Sequence, residues 1–256
     1  MLQEYRIGDG KIEVHDKIKI AILRLKEFEP ENGYALAFSG GKDSIVIYDL
    51  AIKAGIKFLP HYNLTTVDPP ELVSFIKINY PDVIINKPDM TMWQLIKHKG
   101  FPPTRIVRYC CDILKERGGK GQRIITGVRW AESKKRSNRR ILENCIKKNM
   151  VTVNPVLDWS DEEIWEYIKA NNIKYCSLYD EGFKRLGCIM CPIAGKNNML
   201  KEAERFPKYY KAYLRTFDQM IKDGGGTYKQ WKSGQDVMDW WIYNPGLGEE
   251  QQVLFE

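Results

Sequence analysis

A short apolar run, Tyr34-Ala35-Leu36-Ala37-Phe38, passes directly into Ser39-Gly40-Gly41-Lys42-Asp43-Ser44 and then into Ile45-Val46-Ile47-Tyr48-Asp49-Leu50. The first segment reads as a buried strand and the last suits a helix, so the glycines must turn the chain from one to the other. This strand–loop–helix unit constrains chemistry as well as fold. Glycines let backbone N–H groups converge on an anion, and a helix N-terminus adds a favourable dipole. Lys42 supplies a full positive charge, and Ser39 and Ser44 supply hydroxyl donors. Asp43 is placed to orient the lysine or to hold a magnesium ion. The loop is not the GxxxxGKS/T type, because Leu36 stands where that motif has its first glycine and Asp43 follows the lysine.

The alternation continues along the chain. Val14, Ile18, Ala21, Leu25 and Phe28 recur at spacings of three and four, which predicts an amphipathic helix over about residues 13–28. Residues 57–62 read as a second strand, with Pro60 pointing to an edge or a bend. Pro69 and Pro70 open a helix through about Asn79, and strands follow at 83–86 and 123–126. Ser160-Asp161-Glu162-Glu163 has the form of a capping box, with Ser160 as N-cap, ahead of Ile164, Trp165 and Ile168. Strands alternating with helices predict an α/β fold, doubly wound, with a mostly parallel sheet covered on both faces. Residues 199–222 suit one long helix, followed by three glycines and an aromatic tail with Trp231, Trp240 and Trp241. The expected organisation is an N-terminal helix over 1–30, a nucleotide-binding domain with the cysteines over 31–197, and a small helical and aromatic appendage over 198–256.

The 256 residues suffice for a substantial core, and 43% hydrophobic with 29% charged residues excludes a disordered chain. The opening residues lack the apolar stretch of a signal peptide and no run approaches a membrane span, so a cytoplasmic location without a membrane partner is expected. A net charge of +7 fits a phosphate-bearing ligand but fits an ordinary basic surface equally. In a reducing compartment six cysteines point to metal binding or catalysis where they cluster, rather than to disulfides.

The SGGKDS segment resembles the PP-loop of the adenine-nucleotide alpha-hydrolase-like superfamily, whose members grip pyrophosphate or sulfate there. Gly127-Val128-Arg129-Trp130-Ala131-Glu132-Ser133-Lys134-Lys135-Arg136, Asn154-Pro155-Val156-Leu157-Asp158-Trp159 and Leu178-Tyr179-Asp180-Glu181-Gly182-Phe183 are similar, in order, to the 3′-phosphoadenosine-5′-phosphosulfate (PAPS) and adenosine-5′-phosphosulfate (APS) reductase family. The resemblance spans about residues 33–195. It implies that Gly127, Arg129 and Arg136 serve the nucleotide, the arginines through planar forks that match phosphate or sulfate oxygens. It also places Asn63, Leu64, Thr65 and Thr66 near the adenosine, and Lys42, Asp43 and Arg129 at the reacting centre. For each of these the plain alternative is a polar loop or a solvated basic stretch.

Cys110-Cys111 and the pair in Cys188-Ile189-Met190-Cys191 resemble the CC…CxxC ligands of the 4Fe–4S cluster in assimilatory APS reductases. Four thiolates suit such a cluster; zinc also accepts four, though adjacent ligands would crowd a single tetrahedral ion. Lys115 is either placed to balance the cluster's charge or an ordinary solvated lysine, while Cys145 and Cys176 read as structural. The sequence departs from the family where reductases carry a C-terminal catalytic cysteine, since no cysteine follows Cys191. A thiol-dependent reductase needs that thiolate to attack sulfur and release AMP. The leading expectation is therefore an iron–sulfur PP-loop enzyme that cleaves ATP to AMP and pyrophosphate with magnesium, in a sulfur-transfer or modification pathway. The rival is an APS or PAPS reductase drawing on an external thiol or on Cys145 or Cys176. A third reading, a silent nucleotide- or nucleic-acid-binding subunit, uses the Lys134–Arg140 run and the aromatic tail. Expected partners are the adenine nucleotide, a sulfur donor or a thioredoxin-like electron donor, and a second copy of the chain.

Overall fold

A computed structural model describes residues 2–6, 12–117, 121–146, 149–226 and 231–243. Its elements divide between two compact units. The first comprises Met1–Tyr62, Pro70–Ile85 and Gly118–Leu186, and the second comprises Asn63–Pro69, Asn86–Arg117 and Gly187–Glu256.

The chain opens with an antiparallel ribbon of β1 (Leu2–Arg6) and β2 (Ile12–Asp16), followed by α1 (Lys17–Glu27). The single helix expected over 13–28 thus loses its first four residues to a strand. Asp16 is the reason: its carboxylate accepts from the Ile18 N–H at 3.0 Å, capping the helix and fixing its start at Lys17. Beyond that cap the helical periodicity holds, with Ala21 and Leu25 fully buried.

The main sheet has six strands in the order β5-β4-β3-β6-β8-β7, where β3 is Tyr34–Ala37, β4 Phe58–Asn63, β5 Ile84–Asn86, β6 Arg123–Ile125, β7 Leu142–Cys145 and β8 Met150–Val153. β3 pairs in parallel with β4 and β6, and β6 with β8, while β7 runs antiparallel to β8. The α/β, mostly parallel sheet is the architecture that the alternation predicts. Pro60 lies in an internal strand, not at an edge. Phe38 N donates to His61 O at 3.0 Å, so strand alternation turns the polar groups of His61 toward β3 and those of Pro60 away from it. The neighbour on that far side, β5, is three residues long.

Chain order runs outward from β3 through β4 to β5, then returns to the other side of β3 for β6. The sheet therefore has its topological switch point between β3 and β6. In open α/β sheets that crevice, at the carboxyl ends of the strands, is where ligands bind. The glycine loop follows β3 and Gly127 follows β6, so both stand at this point. Helix α2 (Lys42–Ala54) leaves the loop with Ile45, Val46, Ile47 and Leu50 buried, and it packs against α1 and α5 (Asp161–Ala170). α3 (Pro70–Asn79) starts on its proline as expected.

The second unit is built on α4 (Met92–Lys99), α6 (Lys196–Arg205), α7 (Pro207–Lys222) and α8 (Gly234–Tyr243). The long helix expected over 199–222 is two helices. Phe206 leaves helical geometry, with φ −122° and ψ 61°, and Pro207 becomes the first residue of α7 because a proline cannot donate into a continuing helix. Tyr213, Phe217 and Trp241 form its aromatic core, and the Trp241 indole N–H donates to Pro103 O at 2.6 Å. The expected aromatic tail is in part this core. Trp231 and Trp240 meet edge-on with ring centroids 5.1 Å apart, and residues 244–256 lie outside the described residues.

Candidate functional site

The glycine loop is tied into a fixed shape by its own hydroxyls. Ser39 N donates to Ser44 Oγ at 3.2 Å, Ser44 Oγ donates to Gly41 O at 2.9 Å, and Gly41 N donates to Ser39 Oγ at 3.3 Å. Gly40 has φ +69°, and a Cβ there would lie 2.8 Å from side-chain atoms of Leu72 and Ile76, so only glycine fits. Gly41 caps α2, and the first free N–H of the helix, that of Lys42, donates to the Tyr179 hydroxyl at 2.8 Å. Tyr179 is steadied by Trp165, whose ring lies edge-on with centroids 5.0 Å apart.

Behind the loop stands a four-residue charge cluster. Arg129 is 0% exposed. Its Nε donates to Asp43 Oδ1 at 2.7 Å, its Nη1 to Trp159 O at 3.1 Å, and its Nη2 to Asp161. Lys42 Nζ lies 3.3 Å from Asp161 and 3.5 Å from Asp43. Burial works against the charge on Arg129, but the two carboxylates outweigh it and hold the guanidinium charged. Burial likewise pushes Asp161 upward, yet the hydrogen bond from Arg129 and the charges of Lys42 and Arg129 keep its carboxyl below the usual aspartate range. Gly127 lets this assembly close, since a Cβ there would come within 2.9 Å of the Asp43 Cβ. Two cations thus face two carboxylates, and their formal charges cancel.

In the second unit Cys110, Cys111, Cys188 and Cys191 line a single cavity, together with Thr65 and Lys115. Cys111 begins a π-helical turn, Cys111–Lys115, closed by Glu116 N donating to Cys111 O at 2.8 Å. A hydrogen bond between the neighbouring thiols draws Cys111 down to about 6, helped by Lys115 and Arg108, and pushes Cys110 far up. Burial pushes Cys188 up to about 12, against the pull of Lys115. Among the described residues no three His, Cys, Asp or Glu side chains converge on one point suited to a single metal ion. Four thiols spread around one cavity are a donor set for a polynuclear iron–sulfur cluster more than for one zinc ion.

The phosphoadenosine phosphosulfate reductase domain family matches residues 33–194. The chain belongs to this family. Two uncharacterized proteins of Methanocaldococcus jannaschii are similar, one 28% identical over 88% of this chain and the other 29% identical over 83%. The chain spans 50% and 55% of their lengths. The adenosine 5′-phosphosulfate reductase of Oceanobacillus iheyensis is 32% identical over 170 residues, covering 62% of this chain and 70% of that protein. Among solved structures, the phosphoadenylyl-sulfate reductase of Candida auris shares the fold, with a TM-score of 0.51 at 21% identity over 68% of this chain and 88% of that one.

Within the family frame the structure brings Ser39 to Ser44, Gly127 and Arg129 together. Arg136 stands apart in role: it sits in a 3₁₀ turn and its guanidinium pairs with Glu132. Asn63 is committed to the backbone, donating to Lys115 O at 2.8 Å and Arg117 O at 3.0 Å while accepting from Asn86. Leu64 N donates to Asn86 O, and Thr65 N to Asp68. Thr65 Oγ1 lies 3.4 Å from Cys188 Sγ, which makes it a neighbour of the cysteines. Thr66 has φ +70° and its hydroxyl accepts from Met92 N at the start of α4. Sequence reasoning missed Asp161 and Tyr179 as parts of the loop assembly. Asp161 carried a signal only for starting a helix, and nothing local marks Tyr179 as the acceptor for the first amide of α2. Among the described residues no helix is long and apolar enough to cross a membrane.

Proposed function

We propose that this PAPS reductase family member binds a magnesium-bound adenine nucleotide at the glycine loop and cleaves ATP to AMP and pyrophosphate, in a sulfur-transfer or modification reaction. The observation that carries the reading is the cancelled charge of Lys42, Arg129, Asp43 and Asp161. A bare dianion gains little from a neutral cluster, whereas a nucleotide that brings its own divalent cation offers charge to both signs. In this reading Lys42 and the loop amides hold the phosphates, and Arg129 fixes Asp43 beside them. The Tyr179 hydroxyl, already accepting from Lys42 N, presents its own proton outward as a further donor. Attack at the α-phosphorus by water or an acceptor oxygen breaks the α–β bridge, and pyrophosphate leaves with the bridging electron pair. Stabilising that developing charge is the task of the cation and the preorganised donors. Cys110, Cys111, Cys188 and Cys191 would hold a 4Fe–4S cluster, which when bound supplies electron or sulfur chemistry.

The second reading, reduction of APS or PAPS to sulfite with an external thiol, is favoured by the relatives named adenosine 5′-phosphosulfate reductase. One anaerobic assay separates the two. Protein with magnesium is given ATP, APS or PAPS separately, and AMP, pyrophosphate and sulfite are measured with added thiol. AMP with pyrophosphate, lost in Lys42→Ala, supports the first reading; sulfite with AMP from APS and no turnover of ATP overturns it.

A further inference from the structure

The turn that carries Cys188 and Cys191 is held by groups from outside it on every side. Ile189 N donates to Val67 O at 2.7 Å, and Ile189 O accepts from the Tyr213 hydroxyl at 3.2 Å. The next amide, of Met190, donates to the carboxylate of Glu202 on α6, and the Cys191 amide lies beside the same carboxylate. Met190 has φ +58°, a left-handed conformation that a long side chain adopts only where its surroundings enforce it. Successive N–H groups at such a residue form a concavity that takes an anion. Here the Glu202 carboxyl takes that place, its titration pushed up to about 7 by burial against the pull of the amides.

Amides in a cysteine turn can donate to its own sulfurs, and hydrogen bonds to sulfur are one of the levers that set an iron–sulfur potential. Glu202 occupies that of Met190. It also lies beyond residue 194, where the family match ends. We propose that Glu202 is a positioning residue for the cysteine site. Its carboxylate holds the Cys188–Cys191 turn ready for its ligand and withholds the Met190 amide from the sulfurs. A bound cluster is thereby kept at low potential and resists reduction. The second half of this proposal rests on the reading that the four cysteines hold a cluster, whereas the first half does not.

Glu202→Gln and Glu202→Asp in the full chain test it. Glutamine removes the carboxylate charge and one of its two acceptor oxygens, and so weakens the hold on the Met190 amide; aspartate keeps both acceptors on a shorter arm and guards against a glutamine variant that fails to fold. In metal-free protein the alkylation rates of Cys188 and Cys191 by iodoacetamide, read by mass spectrometry, are expected to rise several-fold in Glu202→Gln and less in Glu202→Asp. After anaerobic loading with ferrous iron and sulfide, the midpoint potential from a dye-mediated titration is expected to move to a more positive value in Glu202→Gln. Alkylation rates equal to wild type in both variants overturn the positioning role. An unchanged potential overturns the tuning role. A wild-type protein that takes up no cluster overturns the cluster reading and the tuning with it, while the alkylation rates still decide the positioning.

Discussion

Arg129 and Asp43 form an ion pair 2.7 Å long, Nε to Oδ1, between residues on different strand–helix turns of the sheet. The pair fixes the first turn of α2 to the loop after β6. Because Arg129 has no exposure to solvent, it cannot trade this partner for water.

Removing it should therefore be costly. Arg129→Ala leaves Asp43 and Asp161 to Lys42 alone; breaking buried pairs costs about 3–5 kcal/mol, and with Lys42 still beside both carboxylates and Asp161 at 61% exposure the low end, about 3 kcal/mol, is expected. Arg129→Lys restores the charge but not the planar three-sided donation, and should recover only part of the loss. Urea denaturation of the two variants gives the comparison, and equal stability of Arg129→Ala and wild type would show the cluster to be structurally idle.

Gly127→Ala tests the close approach directly. Its methyl would meet the Asp43 Cβ at 2.9 Å and the Asp43 carbonyl carbon at 3.3 Å, so backbone must shift. Overpacking of this kind costs about 1–3 kcal/mol. The shift falls on the first turn of α2, so adenine-nucleotide affinity measured by calorimetry should drop together with stability.

Stability should fall in acid through Asp161. Its carboxyl is held below the ordinary aspartate value, so folding favours the ionised form. That contribution is complete above about pH 4, the value in an unfolded chain, and is lost as the pH falls through the lower native value. Asp161→Asn should flatten the slope of unfolding free energy against pH in that window, and an unaltered slope would refute the assignment.

Single replacements Cys111→Ser and Cys188→Ser should each abolish the broad visible absorbance of protein loaded with iron and sulfide, since each removes one of four ligands. Cys145→Ser should retain it, because Cys145 sits in β7 and not at the cavity. Full retention in all three variants would exclude the cavity as the cluster site.

Where neighbours in the sequence carry the signal, the structure follows it. The apolar run at 34–38, the glycines after it and the capping box at Ser160 and Glu163 are legible because strand, turn and cap are decided by residues within a few positions of each other. The break at Pro207 went unread, because the apolar periodicity of 199–222 runs through it and hides it. The β7–β8 hairpin gave little pattern, being four residues a side with partly exposed faces.

By itself, then, the sequence determined an α/β chain with an anion-ready loop at the end of its first parallel strand, and it named the four cysteines. Only the tertiary structure decided what the charged residues do. It buried Arg129 between Asp43 and Asp161, put the Tyr179 hydroxyl on the first amide of α2, gave Asn63 to backbone carbonyls, paired Arg136 with Glu132, and set Glu202 beneath a cysteine turn. Most of these partners lie far apart in the chain. A local pattern fixes which element forms, whereas the partner of a buried charge depends on which strand ends the crossovers bring together.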